Sequence, residues 1–360
     1  MAARAAPGRP QIDDHSDLFR TVEDVGLEGG IGDIYRHGSI SNHVSGGWAI
    51  PTLVLIQRQG SVRADALFAS TLIMEALHEL LESETSSCEV LICGIDGWID
   101  AGGAAAQARS LLVAGLSRRT VARFDADVLI DHQARRPVMH LHDGVNTGVQ
   151  LPEIVLDVAS RPGQPSFLLL TGPEPSHRWR QFGREVVDLA ERFDVRLVIG
   201  LGAYPAPVPH TRQARVVATA TSPELAKRVG SIPGELDVPA GPEAVVEREC
   251  FDRGIPAVGL WAQVPHYVAN MPYPAATIAL VEALAALTGI EVDVSSLATD
   301  VAGTAARIDE LVAQNPEHQA MVRQLESIVD QQYFSEQLDS ADDLEAELEA
   351  FLKQQGESGG

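Results

Sequence analysis

The feature that most constrains the fold is an alternation between about residues 48 and 300. Short runs rich in β-branched residues or leucine are followed there by longer runs of helical periodicity. Most of the short runs are too apolar to keep one face in water, which is typical of buried strands in a mainly parallel sheet. The predicted strands are Leu53–Gln57, Val90–Gly94, Thr120–Phe124, Val138–His142, Phe167–Leu170, Arg196–Leu201, Val216–Ala220 and Ala257–Trp261. The predicted helices are Ala64–Glu82, Gly103–Gly115, Trp179–Phe193, Pro242–Gly254 and Ala275–Gly289. Strands that alternate with helices favour a three-layer α/β/α fold.

The two ends of the chain differ from this alternating region. Residues 1–17 are rich in Pro, Gly and Asp without periodicity, so we expect a disordered N-terminus. Residues 300–353 are predicted to form an acidic α-helical extension, because apolar residues recur there at helical spacing. The predicted α/β domain therefore spans 18–299, and 354–360 are predicted to be a flexible tail.

The charge of the chain excludes some classes of partner. Fifty acidic residues against 27 basic ones give a net charge of −23, whereas a nucleic-acid groove needs clustered positive charge. No apolar stretch is long enough to span a membrane, and the first residues lack the apolar core of a signal peptide. Cys88, Cys93 and Cys250 are expected to be buried thiols. We therefore expect a cytoplasmic protein with neither nucleic acid nor membrane among its partners.

The common cofactor and hydrolase motifs are absent from the sequence. Neither of the two lysines lies in a phosphate-binding P-loop, and GxSxG and HExxH do not occur. Gly200 and Gly202 follow a predicted strand as in a dinucleotide loop, but Pro205 replaces the third glycine. His140 and His142 share one strand face without a second cluster to complete a metal site. The sequence therefore predicts no cofactor and no bound metal.

Four polar loops follow predicted strands, at 94–105, 170–182, 209–212 and 265–270. If those strands are parallel, all four loops lie at one edge of the sheet, which is either a ligand crevice or a surface that docks another subunit. The candidate catalytic residues in these loops are Asp96, Asp100, Glu174, His177, His210 and His266. Asp100 can alternatively cap the helix that follows it, and the histidines can form hydrogen bonds that merely fix the loops.

The same loops carry a family resemblance. GIDGWIDAGGAA (94–105), LTGPEPSHRWRQF (170–182), PHTR (209–212) and GIPAVGLWAQVPHYVANMPYPAA (254–276) resemble signature segments of the proteasome assembly chaperone 2 family, and 131–137 resembles its uncharacterised actinobacterial branch. The matching motif residues are Gly94, Asp96, Trp98, Asp100, Gly102, Gly172, Pro173, Glu174, Trp179, Pro209, His210, Arg212, Trp261, Pro265, His266 and Tyr267. The resemblance implies an α/β/α core similar to phosphorylase/hydrolase-like folds, homo-oligomerisation, and chaperoning of proteasome subunits.

Two functional hypotheses follow. The first is a non-enzymatic assembly or interaction protein whose partners are further copies of itself and proteasome subunits or another protein. The alternative is a small-molecule-binding protein or a hydrolase or ligase that uses the sheet edge. Family members that dock into the proteasome are expected to end in a hydrophobic-Tyr-X tripeptide, whereas this sequence ends Ser358-Gly-Gly360 and its Tyr333 lies far from that end. The resemblance therefore does not favour docking by that route.

Overall fold

The computed structural model describes residues 75–81, 87–232 and 234–334. One compact unit comprises Leu77–Gly234 and Pro239–Gly360. A second unit combines Met1–Ala76 with Glu235–Val238. Its described residues, 75–76 and 235–238, form neither helix nor strand. All the described helices and strands lie in the larger unit.

An eight-stranded sheet forms the centre of this unit. Its strands are β1 His78–Leu80, β2 Val90–Ile95, β3 Ser117–Phe124, β6 Ile154–Ser160, β7 Phe167–Gly172, β8 Leu197–Ala206, β9 Val216–Ala220 and β10 Ala257–Pro265. They are ordered β1-β3-β6-β7-β2-β8-β10-β9. The four central strands β7, β2, β8 and β10 are parallel to one another, and the remaining strands pair antiparallel at the two sides. The carboxyl ends of the four parallel strands consequently share one edge.

Helices cover both faces of the sheet. They are α1 Ala104–Val113, α2 Ala126–Leu129, α3 Trp179–Arg192, α4 Pro223–Lys227, α5 Pro242–Arg253, α6 Pro274–Thr288, α7 Ala298–Ala313 and α8, residues 316–334. Alternate side chains of each central strand point to opposite faces. In β2, Ile92 joins the apolar cluster under α1 and α6, whereas Leu91 and Cys93 join the cluster under α3 and α5. The predicted three-layer α/β/α fold is confirmed.

The segment before β2 differs from its prediction. Helical periodicity predicts a helix at Ala64–Glu82, but His78–Leu80 form an edge strand that pairs with β3. The Leu77 backbone N–H donates to both carboxylate oxygens of Glu185, at 3.0 and 2.8 Å, which anchors the strand to α3. These tertiary bonds outweigh the local helical preference at 78–80. The predicted strand Leu53–Gln57 lies outside the described residues.

One predicted strand lies outside the large sheet. Val138–His142 forms β4, but it pairs only with the unpredicted strand β5, Val145–Gln150. This two-stranded hairpin is exposed along its length. The apolar residues of β4 therefore do not indicate burial between helices, and His140 and His142 lie on an exposed strand. We refer to residues 138–150 as the hairpin.

The C-terminal helices α7 and α8 pack against the α/β unit. Ile308 and Val312 of α7, and Val322 and Leu325 of α8, belong to the same apolar cluster as α1 and α6. These positions follow the helical spacing seen in the sequence. The apolar positions predicted at 344–352 lie outside the described residues. No helix in the described part of the chain is long and apolar enough to cross a membrane.

Candidate functional site

The shared edge of the central strands gathers the four polar loops. Loop 96–103 follows β2, loop 173–178 follows β7, loop 207–215 follows β8, and residues 266–273 follow β10. Because these strands are parallel and adjacent in the order β7-β2-β8-β10, the loops leave the sheet on the same side. This edge therefore carries all six candidate residues, Asp96, Asp100, Glu174, His177, His210 and His266.

Asp96 is held between two arginines. Its Oδ1 accepts from Arg109 Nη2 of α1 at 3.1 Å, and its Oδ2 accepts from Arg135 Nη1 at 2.8 Å. Gly94 leaves room for the Arg109 side chain, because a Cβ at that position would lie 3.0 Å from Arg109 Cδ. The Asp96 backbone N–H donates to the Gly172 carbonyl at 2.9 Å, which joins the ends of β2 and β7. Asp96 is thus an ion-paired carboxylate that fixes two loops.

Asp100 caps α1. Its Oδ1 accepts from the Ala105 N–H and its Oδ2 accepts from the Ala106 N–H, both at 2.8 Å. These bonds satisfy two amides in the first turn of the helix, which otherwise have no acceptor within it. Both carboxylate oxygens of Asp100 are therefore engaged in capping, which the sequence leaves open as the alternative to a catalytic role.

Glu174 and His177 lie in the loop after β7. Burial raises the pKa of Glu174, and Arg135 opposes that effect. His177 is exposed, and its backbone N–H donates to the Leu129 carbonyl at 3.2 Å. Arg135 therefore links Glu174 to the Asp96 ion pairs, whereas His177 contributes its backbone to the loop.

Two glutamates of α5 that the sequence analysis missed lie beneath this edge. Burial raises the pKa of Glu243 to about 8, Arg109 opposes that effect, and Glu174 and Glu247 add to it. Glu243 Oε2 lies against β8, 3.3 Å from where a Cβ of Gly200 would stand. Glu243 Oε1 is buried without a hydrogen-bond partner. Glu243 is thus a partly buried residue, and one oxygen of its carboxyl is enclosed without a hydrogen-bond partner.

Glu247 lies one helical turn after Glu243. Its Oε2 accepts from the Thr219 hydroxyl at 2.7 Å, and burial raises its pKa. Both glutamates follow the spacing of the buried α5 residues Val246 and Cys250. Carboxylates on the apolar stripe of a predicted helix are the signal that could have identified them.

His210 lies in a buried hydrogen-bond relay rather than beside Asp96. Its side chain is 2% exposed. Its Nδ1 lies 2.7 Å from Tyr267 Oη, and its Nε2 lies 3.0 Å from Asp309 Oδ1 of α7. Its backbone N–H also donates to Tyr267 Oη at 2.8 Å. The relay therefore connects loop 207–215 to the residues after β10 and to the C-terminal helices.

The next residues of the same loop bind α8. Arg212 donates from Nε to Asp330 Oδ1 and from Nη2 to Asp330 Oδ2, both at 2.8 Å. The Thr211 hydroxyl donates to Glu326 Oε1. The hydrogen bonds to Asp330 raise the pKa of Arg212, and the Arg212 contacts lower the pKa of Asp330. The segment 210–212 thus fastens both α7 and α8, and we call it the latch.

The other motif residues serve packing and turns. Gly102 has a φ of +65°, and a Cβ there would lie 2.7 Å from Tyr273 Cβ, so glycine is required. The Trp261 ring occupies the space above Gly202, and Trp179 Nε1 donates to the Pro175 carbonyl. His266 is exposed, and its ring meets that of Tyr267 edge-on. Buried prolines complete the loops at Pro173, Pro209 and Pro265.

The six candidates therefore do not converge on one site, and His177 and His266 are exposed. Asp96 and Glu174 share the arginine-linked edge cluster, in which Glu243 also takes part. His210 instead belongs to the latch, while Asp100 caps a helix. No three potential ligands in the described residues are grouped to hold a metal ion. Two surface cavities of about 460 and 600 Å³ have none of the six candidate residues in their linings.

This chain is similar to known proteins in sequence and in structure. The sequence profile of the PAC2 family matches residues 94–312. A protein of unknown function from Corynebacterium glutamicum is 33% identical, with a TM-score of 0.65 over 71% of this chain and 97% of that chain. A proteasome-assembly chaperone homologue from Mycobacterium tuberculosis is 34% identical, with a TM-score of 0.59 over 65% of this chain and 99% of that chain. A PAC2 family protein from Streptomyces avermitilis is 33% identical, with a TM-score of 0.57 over the same shares. No curated protein matches the sequence.

Proposed function

Because the chain belongs to the PAC2 family, we propose that it is a chaperone-like assembly protein, rather than an enzyme, and that proteasome subunits are its clients. The observation that carries the proposal is the similarity to the Mycobacterium tuberculosis proteasome-assembly chaperone homologue, which extends over 99% of that chain at 34% identity. Similarity over a whole chain at this identity supports a shared kind of role more strongly than a shared fold alone would.

The hydrogen bonds at the sheet edge support an assembly role over the enzymatic alternative. A general acid or base must be able to reach a substrate. The ring nitrogens of His210 are instead both engaged, by Tyr267 and Asp309. Asp100 is likewise engaged by the amides of α1. Loops that are fixed by such hydrogen bonds present a preformed surface, which suits the docking of another protein.

The hairpin supports self-association. Six large apolar side chains between 138 and 151 are 44–64% exposed: Val138, Met139, Leu141, Val145, Val149 and Leu151. An isolated two-stranded hairpin is marginally stable in water, and contiguous exposed apolar surface marks interaction sites. Met139 lies directly opposite Val149 in the register, so the two form an apolar pair on one face. We assign this face to a second copy of the chain.

We also propose that the protein lies in the cytoplasm, and the state of its cysteines supports this. Cys88, Cys93 and Cys250 are buried free thiols. Burial raises the pKa of each of them, which keeps them protonated and unreactive. Unpaired thiols fit the reducing cytoplasm.

The assembly role is tested in the native cell. A tagged full-length chain is expected to co-purify with proteasome α-subunits, and a strain lacking the gene is expected to accumulate unassembled α-subunits. Reintroducing the wild-type gene should restore assembly. Unchanged proteasome assembly in the deletion strain would overturn the proposal.

Self-association is tested with the pure protein. Val149→Asp places a charge in the proposed interface and is expected to reduce the molar mass, measured by light scattering after size-exclusion chromatography, to that of one chain. Gln150→Glu adds a negative charge at the adjacent exposed residue, whose side chain points to the opposite strand face, and serves as the matched control. An unchanged oligomer in Val149→Asp would exclude this face as the interface.

A further inference from the structure

The smaller of the two surface cavities lies at the opposite end of the sheet from the four polar loops. It measures about 460 Å³, and its lining residues belong to 221–228, around α4, and to 251–256, at the end of α5. These two stretches adjoin the amino end of β10, whereas the polar loops leave the carboxyl ends of the central strands. A cavity of this volume is in the range of small-molecule sites.

Hydrogen bonds hold the two stretches of this cavity together. The Thr221 backbone N–H donates to the Ala257 carbonyl at 3.0 Å, and the Thr221 hydroxyl oxygen accepts from the Ala257 N–H at 2.9 Å. The Ser222 hydroxyl oxygen accepts from the Leu225 N–H at 3.2 Å, which fixes the start of α4. The walls of the cavity are therefore preformed, so a ligand would not have to order them.

The cavity presents apolar surface to solvent. Phe251 lines it and is 51% exposed, although it is large and apolar. The Arg248 guanidinium lies over the Phe251 ring, 4.4 Å from the ring centroid, which holds the ring in place. Leu225 and Ile255, which are buried and half-buried, also line the cavity. An apolar, flat group of a ligand would therefore find a matching surface here.

The charges at the cavity leave one cation for a ligand. Arg248 donates to Asp252 and is already paired. Hydrogen bonds at the start of α4 and the charge of Lys227 lower the pKa of Glu224, so these neighbours stabilise its negative charge. Arg228 lines the cavity and is exposed, and within the described part of the chain its side chain has no hydrogen-bond or ion-pair partner. A guanidinium binds a carboxylate through two parallel hydrogen bonds.

We propose that this cavity binds a small aromatic carboxylic acid, with the carboxylate on Arg228 and the ring against Phe251. A single negative charge fits best, because Glu224 also lines the cavity and would repel a multiply charged phosphate more strongly. The site goes beyond the proposed assembly role, since it uses neither the polar loops nor the hairpin.

The probe is hydrocinnamate, and hydrocinnamamide is the uncharged control of nearly the same shape. Saturation-transfer NMR on the pure full-length protein at neutral pH measures binding of each compound. The acid should bind with a dissociation constant of about 1 mM or less, as expected for a ligand of this size. The amide should bind at least about fivefold more weakly, because it lacks the charge that Arg228 recognises.

Two pairs of variants locate the site. Arg228→Gln should weaken binding of hydrocinnamate about fivefold or more, whereas Lys227→Gln, at the adjacent exposed cation outside the lining, should change it by less than about twofold. Phe251→Ala should weaken binding about tenfold, because the ring loses its apolar contact. Phe334→Ala, at an exposed phenylalanine that lines the other cavity, should bind as the wild type does.

Three results would overturn the inference. They are equal binding of the acid and the amide, equal affinities of Arg228→Gln and Lys227→Gln, and no binding by the folded wild type at several millimolar hydrocinnamate. A peptide that ends in phenylalanine with a free carboxylate offers the same chemical groups. If it binds about tenfold more tightly than hydrocinnamate, the cavity belongs to a protein terminus and the inference is also wrong. These measurements involve no proteasome subunit, so they fail or succeed independently of the assembly role.

Discussion

At the scale of single residues, the bonds around His210 explain why it is buried. Tyr267 Oη accepts the His210 backbone N–H and lies 2.7 Å from Nδ1. Asp309 Oδ1 lies 3.0 Å from Nε2, so both ring nitrogens have a partner within the chain. His210, a catalytic candidate by its sequence, thus connects Tyr267 to Asp309 by hydrogen bonds that hold the structure together.

We expect Tyr267→Phe to destabilise the protein by about 1–3 kcal/mol, because the buried His210 backbone N–H and Nδ1 would both lose their partner while the ring volume is kept. Urea denaturation monitored by circular dichroism measures the change. Tyr333→Phe, at a tyrosine that is 56% exposed, is the matched control and should be neutral. Equal stability of the two variants would show that the relay contributes nothing.

Glu243 links stability to pH with a defined sign. Its pKa is about 8 in the folded protein, above the ordinary glutamate value of 4.5, because burial disfavours the charged form. The unfolded chain therefore loses this proton at lower pH than the folded chain does. The stabilising effect of the bound proton is complete below pH 4.5 and is lost as the pH rises through 8.

We predict that Glu243→Gln removes this dependence. The free energy of unfolding of the wild type should fall by up to about 1.4 kcal/mol per pH unit between pH 5 and 8, relative to the variant. Chemical denaturation at a series of pH values gives the difference curve. Glu291→Gln is expected to run parallel to the wild type, and a flat difference between Glu243→Gln and wild type would contradict the prediction.

At the scale of elements, the sequence predicts a strand well where apolar burial on both faces alone determines it. The runs at 90–94, 167–170 and 257–261 are apolar on both faces, and each is a central strand flanked by helices. β6 was missed, because Asp157 interrupts its apolar pattern; that carboxylate is buried and accepts from Thr120 of β3. Such a segment becomes a strand because it pairs with a strand that is distant in sequence, as β1 also does with β3.

In the edge cluster too, residues with a local sequence signal were predicted and residues placed by tertiary contacts were not. Asp96 and Glu174 were found because they follow strands, which is a local signal. Arg109 and Glu243 were missed because they come from helices that the fold brings to the edge. Conversely, the latch residues were recognised as important, but their binding to α7 and α8 is a tertiary contact that no local pattern encodes.

The latch fastens α8 at its polar side, whereas Val322, Leu325 and Val329 provide its buried apolar side. Arg212→Ala removes both hydrogen bonds to Asp330. We expect amide hydrogen exchange in 316–334 to become several-fold faster, with exchange in β2 and β8 unchanged. Arg323→Ala, at an exposed arginine of the same helix, is the control. Unchanged exchange in α8 of Arg212→Ala would mean that the apolar contacts alone hold this helix in place.

At the scale of the whole molecule, the distribution of charge bears on self-association. The chain has a net charge of −23, but residues 138–151 contain a single carboxylate, Asp143, and no lysine or arginine. Two copies that approach each other repel through the rest of their surfaces, and the hairpin is a place where apolar contact can form with little charge to desolvate.

Salt should therefore strengthen the contact between copies. Raising the salt concentration from about 0.05 to about 0.5 M shortens the screening length from over 10 Å to a few ångströms, which suppresses the repulsion without weakening the apolar contacts. Sedimentation equilibrium should show a lower dissociation constant at high salt for the wild type, and Val149→Asp should remain one chain at both concentrations. Binding of a basic client to the acidic surface has the opposite dependence, because screening weakens attraction between unlike charges. Dissociation of the wild-type oligomer with rising salt would place the interface on charged residues rather than on the hairpin.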